Sequence, residues 1–324
     1  GLFIALIGLI DSKVVRQGGT PLELGLGGSL QGWPTLVFMF GLFLTLILMV
    51  RKVRGAILIG ILSSTVLAVI IEAVAHLGAF NAEKNKTGWS LAVPHLNGSP
   101  FAMPSFETLG KFSLLGSIDK VGIVSVVLLV FTLLLADFFD TMGTMIAVGA
   151  EGDLLDSEGN PPKTREILVV DSLAAVAGGM GGVSSNTSYI ESATGVGEGA
   201  RTGLASVVTG CLFFLSMFIA PLVSMVPYEA ATPALVIVGF LMMTQVAEID
   251  WTDLEIAIPS FLTIAMMPFS YSITNGIGAG FLSYVVLAVA RGKVKQIHPL
   301  MWLTSVLFLV YFTLAPIKAI LGVS

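Results

Sequence analysis

The sequence predicts an all-α protein that crosses a membrane several times. Of its 324 residues, 55% are hydrophobic and only 11% are charged, whereas soluble domains carry about 25% charged residues. The mean hydropathy is +0.93. Repeated apolar runs approach the roughly 20 residues that a helix needs to cross a bilayer. We therefore expect a multi-pass protein of the plasma membrane, of the bacterial inner-membrane type.

The first element is an apolar run over residues 1–12, which is too short to cross a bilayer. It begins without Met and without the charged region that opens a signal peptide. We interpret it as the second half of a helix. On this interpretation the chain is an N-terminally truncated fragment.

The remaining elements alternate apolar spans with polar loops. Residues 76–120 form a long polar loop, in which "SFETLGKFSLLGSI" (105–118) predicts a short interfacial helix. Residues 150–165 form a second hydrophilic loop, and 167–180 is short for a span. The predicted spans are 33–50, 55–75, 121–149, 167–180, 202–226, 232–246, 256–271, 277–290 and 301–316.

Three basic clusters predict the topology. "RKVR" (51–54), "KTR" (163–165) and "RGKVK" (291–295) should all face the cytoplasm, since cytoplasmic loops are enriched in Lys and Arg. Two spans separate the first two clusters. Six crossings separate the second and third clusters when segment 181–195 is taken as half of the sixth crossing. Both numbers are even, so the loop 76–120 lies outside.

Four acidic residues fall within the spans: Asp137, Asp140, Asp171 and Glu191. Each would cost about 2.5–3.5 kcal/mol at the bilayer centre, so we expect them to face protein rather than lipid. Asp137 and Asp140 are three residues apart and therefore share one helix face.

The segment "GGVSSNTSYIESATG" (181–195) breaks the apolar pattern. Glycine is poor in helix interiors, and irregular backbone at membrane depth occurs only inside protein or along a cavity. Ser188 and Glu191 have capping-box spacing, which predicts a helix start here. We expect an extended piece followed by a half-helix, the arrangement that forms many transporter sites. Its N-terminal N–H groups could bind a ligand acceptor.

Each acidic residue also has a structural interpretation. Glu191 could be a helix cap only, Asp137 and Asp140 could be packing residues, and Asp171 could bond nearby hydroxyls or backbone. "GVGEGARTG" (195–203) lacks the ending of a phosphate-binding loop. We interpret it as a helix-packing segment with Arg201 at the cytoplasmic edge.

Cofactors, metals and nucleic acids are not expected partners. Cys211 is the single cysteine, and the three histidines are scattered along the chain. A membrane enzyme would need a nucleophile–base pair or a metal cluster, and the sequence contains neither pattern.

Three stretches carry a resemblance to a known family. "FFDTMGTMIAVGAEGDLLD", "VVDSLAAVAGGMGG" and "TSYIESATGVGEGARTGL" resemble the nucleobase–cation symporter superfamily, which includes the xanthine and uracil permeases. The chain most resembles the AzgA-like branch of hypoxanthine/guanine/adenine permeases. The resemblance implies two inverted seven-segment repeats, core and gate domains, and half-helices with short strands at mid-membrane.

The resemblance also implies a domain plan, in which the chain begins inside the fifth segment. Residues 1–75 would be gate-type helices that end the first repeat, and 76–120 an extracellular or periplasmic loop. Residues 121–226 would be core helices with the substrate site. Residues 227–324 would be gate-type helices and a C-terminal hydrophobic segment, of which 301–316 looks like one span beyond fourteen.

The site follows from the same resemblance. It places the substrate carboxylates on Asp140 and Glu191 and a supporting acid on Asp171. Thr187, Ser188 and Tyr189 would join the substrate site, while Asp137, Asp171 and Ser192 would serve proton coupling or support. Ser192 stands where many relatives have Asn.

The expected function is import of purine nucleobases (guanine, hypoxanthine, adenine) by proton symport. Alternatives are a uracil or xanthine permease and an anion transporter of the same fold. The expected partners are a purine nucleobase, a proton and the lipid bilayer, and a homodimer stays open as an assembly.

Overall fold

The computed structural model describes residues 1–96, 98–157 and 159–321, and these residues are mainly helical. The α-helices are α1 Leu2–Asp11, α2 Trp33–Val50, α3 Ala56–Ala75, α4 Ile118–Val121, α5 Ile123–Glu151, α6 Thr164–Gly181, α7 Ser192–Gly197, α8 Leu204–Ser216, α9 Ala220–Val223, α10 Tyr228–Ala231, α11 Pro233–Met243, α12 Leu254–Phe269, α13 Ile273–Ala290 and α14 Pro299–Leu321. Short 3-10 turns cover Met217–Ile219, Thr244–Glu248 and Val294–Gln296.

The polytopic membrane fold is confirmed. In the described part of the chain, six helical segments are long and apolar enough to cross a bilayer: Trp33–Val50, Ala56–Ala75, Ile123–Glu151, Leu204–Val223, Tyr228–Glu248 and Ile273–Ala290. Shorter apolar helices cover Leu2–Asp11, Leu254–Phe269 and Pro299–Thr313. Helices suit this setting because they satisfy their backbone hydrogen bonds internally.

Two details differ from the sequence prediction. The interfacial helix predicted over 105–118 is wrong: residues 107–110 form a turn, and helix appears only at α4. Gly110, at a φ of +74°, interrupts the helical pattern there. The strands of the described residues are β1 (Val15–Arg16) and β2 (Glu23–Leu24), which pair antiparallel in the loop after α1, whereas residues 183–189 form no strand.

The first compact unit comprises Gly1–Glu107, Val148–Leu154 and Ile190–Met243. Helices α2 and α3 approach each other closely because small residues lie between them. A Cβ added to Gly41 would collide with the Ser64 hydroxyl, and one added to Gly60 would collide with the Thr45 hydroxyl. Small residues of this kind drive helix packing in membranes, where lipid is as apolar as the helix surface.

The core of this unit continues from α2 and α3 to α10 and the loop after α3. Its fully buried members are Val37, Ala68, Trp89 and Ala230. The loop between α2 and α3 contacts the segment after α7, since Arg54 Nε lies 3.1 Å from Glu198 Oε2. This contact agrees with the predicted topology, which places 51–54 and 195–203 on the cytoplasmic side.

The second compact unit comprises Thr108–Ala147, Leu155–Tyr189 and Thr244–Ser324. Its core brings together Leu135, Ile277 and Phe308 from α5, α13 and α14. Helices α12 and α13 begin with side-chain caps, in which Asp253 accepts from the Glu255 N–H and Ser272 from the Asn275 N–H. These caps satisfy backbone donors that a helix start leaves free.

Candidate functional site

The residues after α6 form the extended segment, which we define as residues 183–189. Helix α6 ends because Gly182 adopts a left-handed conformation with φ +70°, a common way to stop a helix. The segment then returns along α6. Gly178 permits this return, since a Cβ there would lie 2.5 Å from the Ser184 carbonyl oxygen. The predicted extended piece is thus present.

Asp171 of α6 anchors the extended segment. Its Oδ2 accepts from the Thr141 hydroxyl at 2.7 Å, and its Oδ1 accepts from the Ser188 backbone N–H at 3.1 Å. The hydroxyls of Thr187 and Ser188 reach Oδ1 at 3.3 and 3.4 Å. Thr141 and Thr187 also share a hydrogen bond of 2.8 Å. This carboxylate therefore joins α5, α6 and the extended segment.

The Thr141 and Asp171 side chains of this cluster are buried. Thr141 is 0% and Asp171 is 8% exposed. A buried carboxylate is stable only when hydrogen bonds compensate its lost hydration. The Thr141 hydroxyl and the N–H and hydroxyl of Ser188 do so, and in return they fix the backbone of the extended segment.

Asp137 makes a second link to the same segment. Its Oδ1 accepts from the Ser185 hydroxyl at 2.8 Å. Asp140 lies one turn further along α5, and its side chain is exposed, as is that of Tyr189. The structure therefore brings Asp137, Asp171, Thr187 and Ser188 into one polar region of the second unit.

Glu191 and Ser192 belong to the first compact unit. Both side chains are exposed, and Ser192 is the first residue of α7. The capping-box prediction is wrong in its position, because α7 begins four residues after Ser188 and the Ser188 hydroxyl bonds Asp171 instead. The helix after the extended segment is present but has only six residues.

A cavity of about 430 Å³ follows one face of α6 to the extended segment. Ligand pockets typically span about 300–1,000 Å³. Its polar end carries Asp171, Thr187 and Ser188 together with Asn186, and its other end carries Lys163 and Glu166 at the start of α6. The remaining lining residues are Ile167, Val170 and Ala174.

Sequence reasoning missed Asn186, Lys163 and Glu166 as lining residues. An amide beside Thr187 was a usable signal for Asn186. In the sequence, Lys163 and Glu166 have the pattern of ordinary charged loop residues. Only the structure shows that they line the cavity at the start of α6. Among the described residues, no group of three His, Cys, Asp or Glu could hold a metal ion.

Comparisons with known proteins agree on one relationship. The model of the Permease family, which is that of the xanthine and uracil permeases, matches residues 1–313. Adenine permease AdeP of Escherichia coli is 38% identical over 310 residues, which are 95% of this chain and 64% of that protein. Guanine/hypoxanthine permease PbuG of Bacillus subtilis is 36% identical over 312 residues, which are 96% of this chain and 66% of that protein.

A further relative is more distant. Nucleobase transporter PlAzg2 of Paenibacillus larvae is 32% identical over 286 residues, which are 88% of this chain and 52% of that protein. The chain spans just under two thirds of the length of AdeP and PbuG.

Proposed function

Because this chain belongs to the Permease family of xanthine and uracil permeases, we propose that the protein imports purine nucleobases together with protons. The names of AdeP and PbuG support guanine, hypoxanthine and adenine as substrates. The single observation that carries the proposal is the polar segment held by Asp171 beside a cavity within an apolar protein.

The cavity offers polar groups beside an apolar wall, which suits a flat purine. Purines are flat, mostly uncharged and rich in N–H donors. A carboxylate can accept two parallel hydrogen bonds from the N1–H and the exocyclic amine of guanine. From the family resemblance we propose Asp140, and separately Glu191, as carboxylates that accept from the substrate, although neither lines this cavity. The Ser188 N–H is committed to Asp171, so the Tyr189 N–H or the Asn186 amide is the proposed donor to the O6 acceptor.

Proton coupling requires that the acidic residues have different roles. We propose that one substrate carboxylate changes protonation between outward and inward states, while Asp137, Asp171 and Ser192 support the site. A proton that crosses the full field gains roughly 2.3 kcal/mol per 100 mV of membrane potential, enough to drive accumulation.

The test is inhibition of labelled hypoxanthine uptake by the full-length protein in cells that lack purine uptake. We expect guanine and hypoxanthine to compete best, adenine variably and uracil poorly. A substrate that lacks one buried hydrogen bond should lose about 1–3 kcal/mol, or roughly 5- to 150-fold in apparent affinity.

Other outcomes assign other functions. Strong competition by uracil with none by guanine would make the protein a uracil permease. Sulfate or bicarbonate flux without competition by any base would make it an anion transporter of the same fold.

A further inference from the structure

Two buried carboxylates of the first unit hold neighbouring residues of one loop. We define this docked loop as residues 76–90, which follow α3. Glu72 of α3 bonds Trp89, and Glu229 of α10 bonds Ser90. The two carboxylates differ in how many hydrogen-bond donors reach them.

Glu72 is fully supplied with donors. Its oxygens accept from the indole N–H of Trp89 at 2.7 Å, the Leu77 N–H at 2.9 Å and the Gly78 N–H at 3.2 Å. These three hydrogen bonds compensate the Glu72 carboxylate for the hydration that it loses on burial.

Glu229 has fewer donors although it is more deeply buried, at 0% exposure. The Ser90 N–H reaches its two oxygens at 3.1 and 3.3 Å, and the backbone N–H of Glu229 itself is the other main-chain donor. The buried Ser90 hydroxyl interacts with the carboxyl but makes no hydrogen bond of good geometry within the described residues.

The two cations near Glu229, Lys13 and Arg16, contact other groups. The charges of Lys13 and Arg16 act on the carboxyl, but neither lies within 4 Å of it. Both lie over the Phe80 ring, at 5.0 and 5.5 Å from its centroid. Arg16 also donates to the Lys86 carbonyl oxygen at 2.7 Å.

The helices packed against α10 add no positive charge. These are α1, α2, α3 and α11. Helix α1 carries Asp11 and α3 carries Glu72, while α2 and α11 contain no charged residue.

A buried charge without a paired cation is costly, and a neutral carboxylic acid avoids that cost. We propose that Glu229 is a proton-binding site of the first unit, protonated while Ser90 of the docked loop rests on it. The acid O–H can donate to the Ser90 hydroxyl oxygen, which otherwise lacks a partner. When the loop lifts, water reaches Glu229 and takes the proton.

The link to transport rests on the proposed function. If the protein is a proton symporter, Glu229 adds a second titrating position to the carboxylates proposed for the substrate. Its protonation would then report whether the docked loop is closed. The protonation state itself can be tested without any transport assay.

The experiment is infrared difference spectroscopy on the full-length protein in lipid nanodiscs, in H₂O and D₂O at neutral pH. The wild type should show the carbonyl stretch of a protonated carboxyl. This band should disappear in Glu229→Gln and persist in Glu72→Gln, the matched buried control. An unchanged band in Glu229→Gln would overturn the proposal.

Ser90→Ala keeps the backbone N–H but removes the hydroxyl acceptor. We expect the carbonyl band to shift in this variant, which decides the question even where Glu229→Gln fails to fold. The absence of a shift would contradict the proposal.

Uptake measurements test the link to transport separately from the protonation of Glu229. Purine uptake whose dependence on external pH changes in Glu229→Gln, but not in the exposed control Glu83→Gln, would support the link to transport. An unchanged dependence with purine uptake intact would overturn that link alone. A Glu229 band in a protein that takes up no purine would overturn the proposed function alone.

Discussion

Asp171 shows how one side chain can position a whole segment. It is almost buried, and it accepts hydrogen bonds from Thr141 of α5 and from the Ser188 backbone. Removing a partner of a buried polar group leaves that group unsatisfied, which costs more than the hydrogen bond itself contributes. Residues around Asp171 should therefore affect stability as well as transport.

Thr141→Val tests this cluster. The change keeps the side-chain shape but removes the hydroxyl that donates to Asp171, so we expect a loss of about 1–3 kcal/mol in stability. Thermal melting of the purified full-length protein is the measurement. Ser172→Ala is the control, because the exposed Ser172 hydroxyl bonds the Leu168 carbonyl of its own helix and no other group among the described residues. Equal losses of stability in the two variants would show that the Thr141–Asp171 hydrogen bond contributes no more than an exposed one.

The proposed substrate carboxylates are tested by substitution in the full-length protein. We expect Asp140→Ala and Glu191→Ala to abolish uptake while the protein still reaches the membrane. Glu191→Gln cannot titrate, and we expect it to retain some binding but lose proton dependence. Uptake and membrane abundance are measured together. Normal transport by Glu191→Ala would leave Glu191 as a cap of α7.

At the scale of elements, the end of α6 determines where the extended segment lies. Four glycines occur between 178 and 182, and they do not have the same role. Gly182 stops the helix through its positive φ, and Gly178 is buried against Ser184 and Asn186. Gly179 faces open space, with no heavy atom within 4 Å of a Cβ placed on it.

This contrast predicts opposite effects of the same substitution. Gly178→Ala should displace the extended segment, since its Cβ would lie 2.5 Å from the Ser184 carbonyl oxygen, and uptake should fall strongly. Gly179→Ala should be neutral or should stabilise the helix by about 0.5–1 kcal/mol, because Ala has less conformational freedom to lose. Melting temperature and uptake of both variants are the measurements. A harmless Gly178→Ala would show that the segment can relax away from α6.

At the scale of the whole molecule, the apolar helices determine the membrane setting, and the basic loops predict the orientation. The clusters at 51–54, 163–165 and 291–295 are predicted to lie an even number of crossings apart, on the cytoplasmic side. In the second unit, Arg291 and Lys293 both pair with Glu255 at the start of α12. These basic residues thus also connect the loop after α13 to α12.

Labelling of single cysteines tests this topology. In a full-length variant whose native cysteines are replaced by Ser, Cys211 among them, we expect a cysteine at Lys84 to react with an impermeant maleimide in intact cells. A cysteine at Lys52 should react only after the membrane is permeabilised, because basic loops stay in the cytoplasm. The reverse pattern would invert the topology.

The sequence by itself determined the class of the protein and most of its helices. The predicted span over 33–50 coincides with α2, and the other spans differ at their ends by a few residues. Such elements are predictable because a bilayer demands about 20 apolar residues with internally satisfied backbone bonds. The break at 181–195 was predictable for the same reason, since its glycines and hydroxyls cannot form a lipid-facing helix.

Only the tertiary structure decided which partners the polar residues take. The sequence pairs Ser188 with Glu191 by spacing, yet Ser188 bonds Asp171, which lies 17 residues earlier. It also gives no sign that Glu72 and Glu229 hold adjacent residues of one loop. Local spacing predicts neighbours along a helix, whereas a buried carboxylate bonds whichever donors the packed chain brings to it. Burial removes water as the alternative partner, so those distant contacts become decisive.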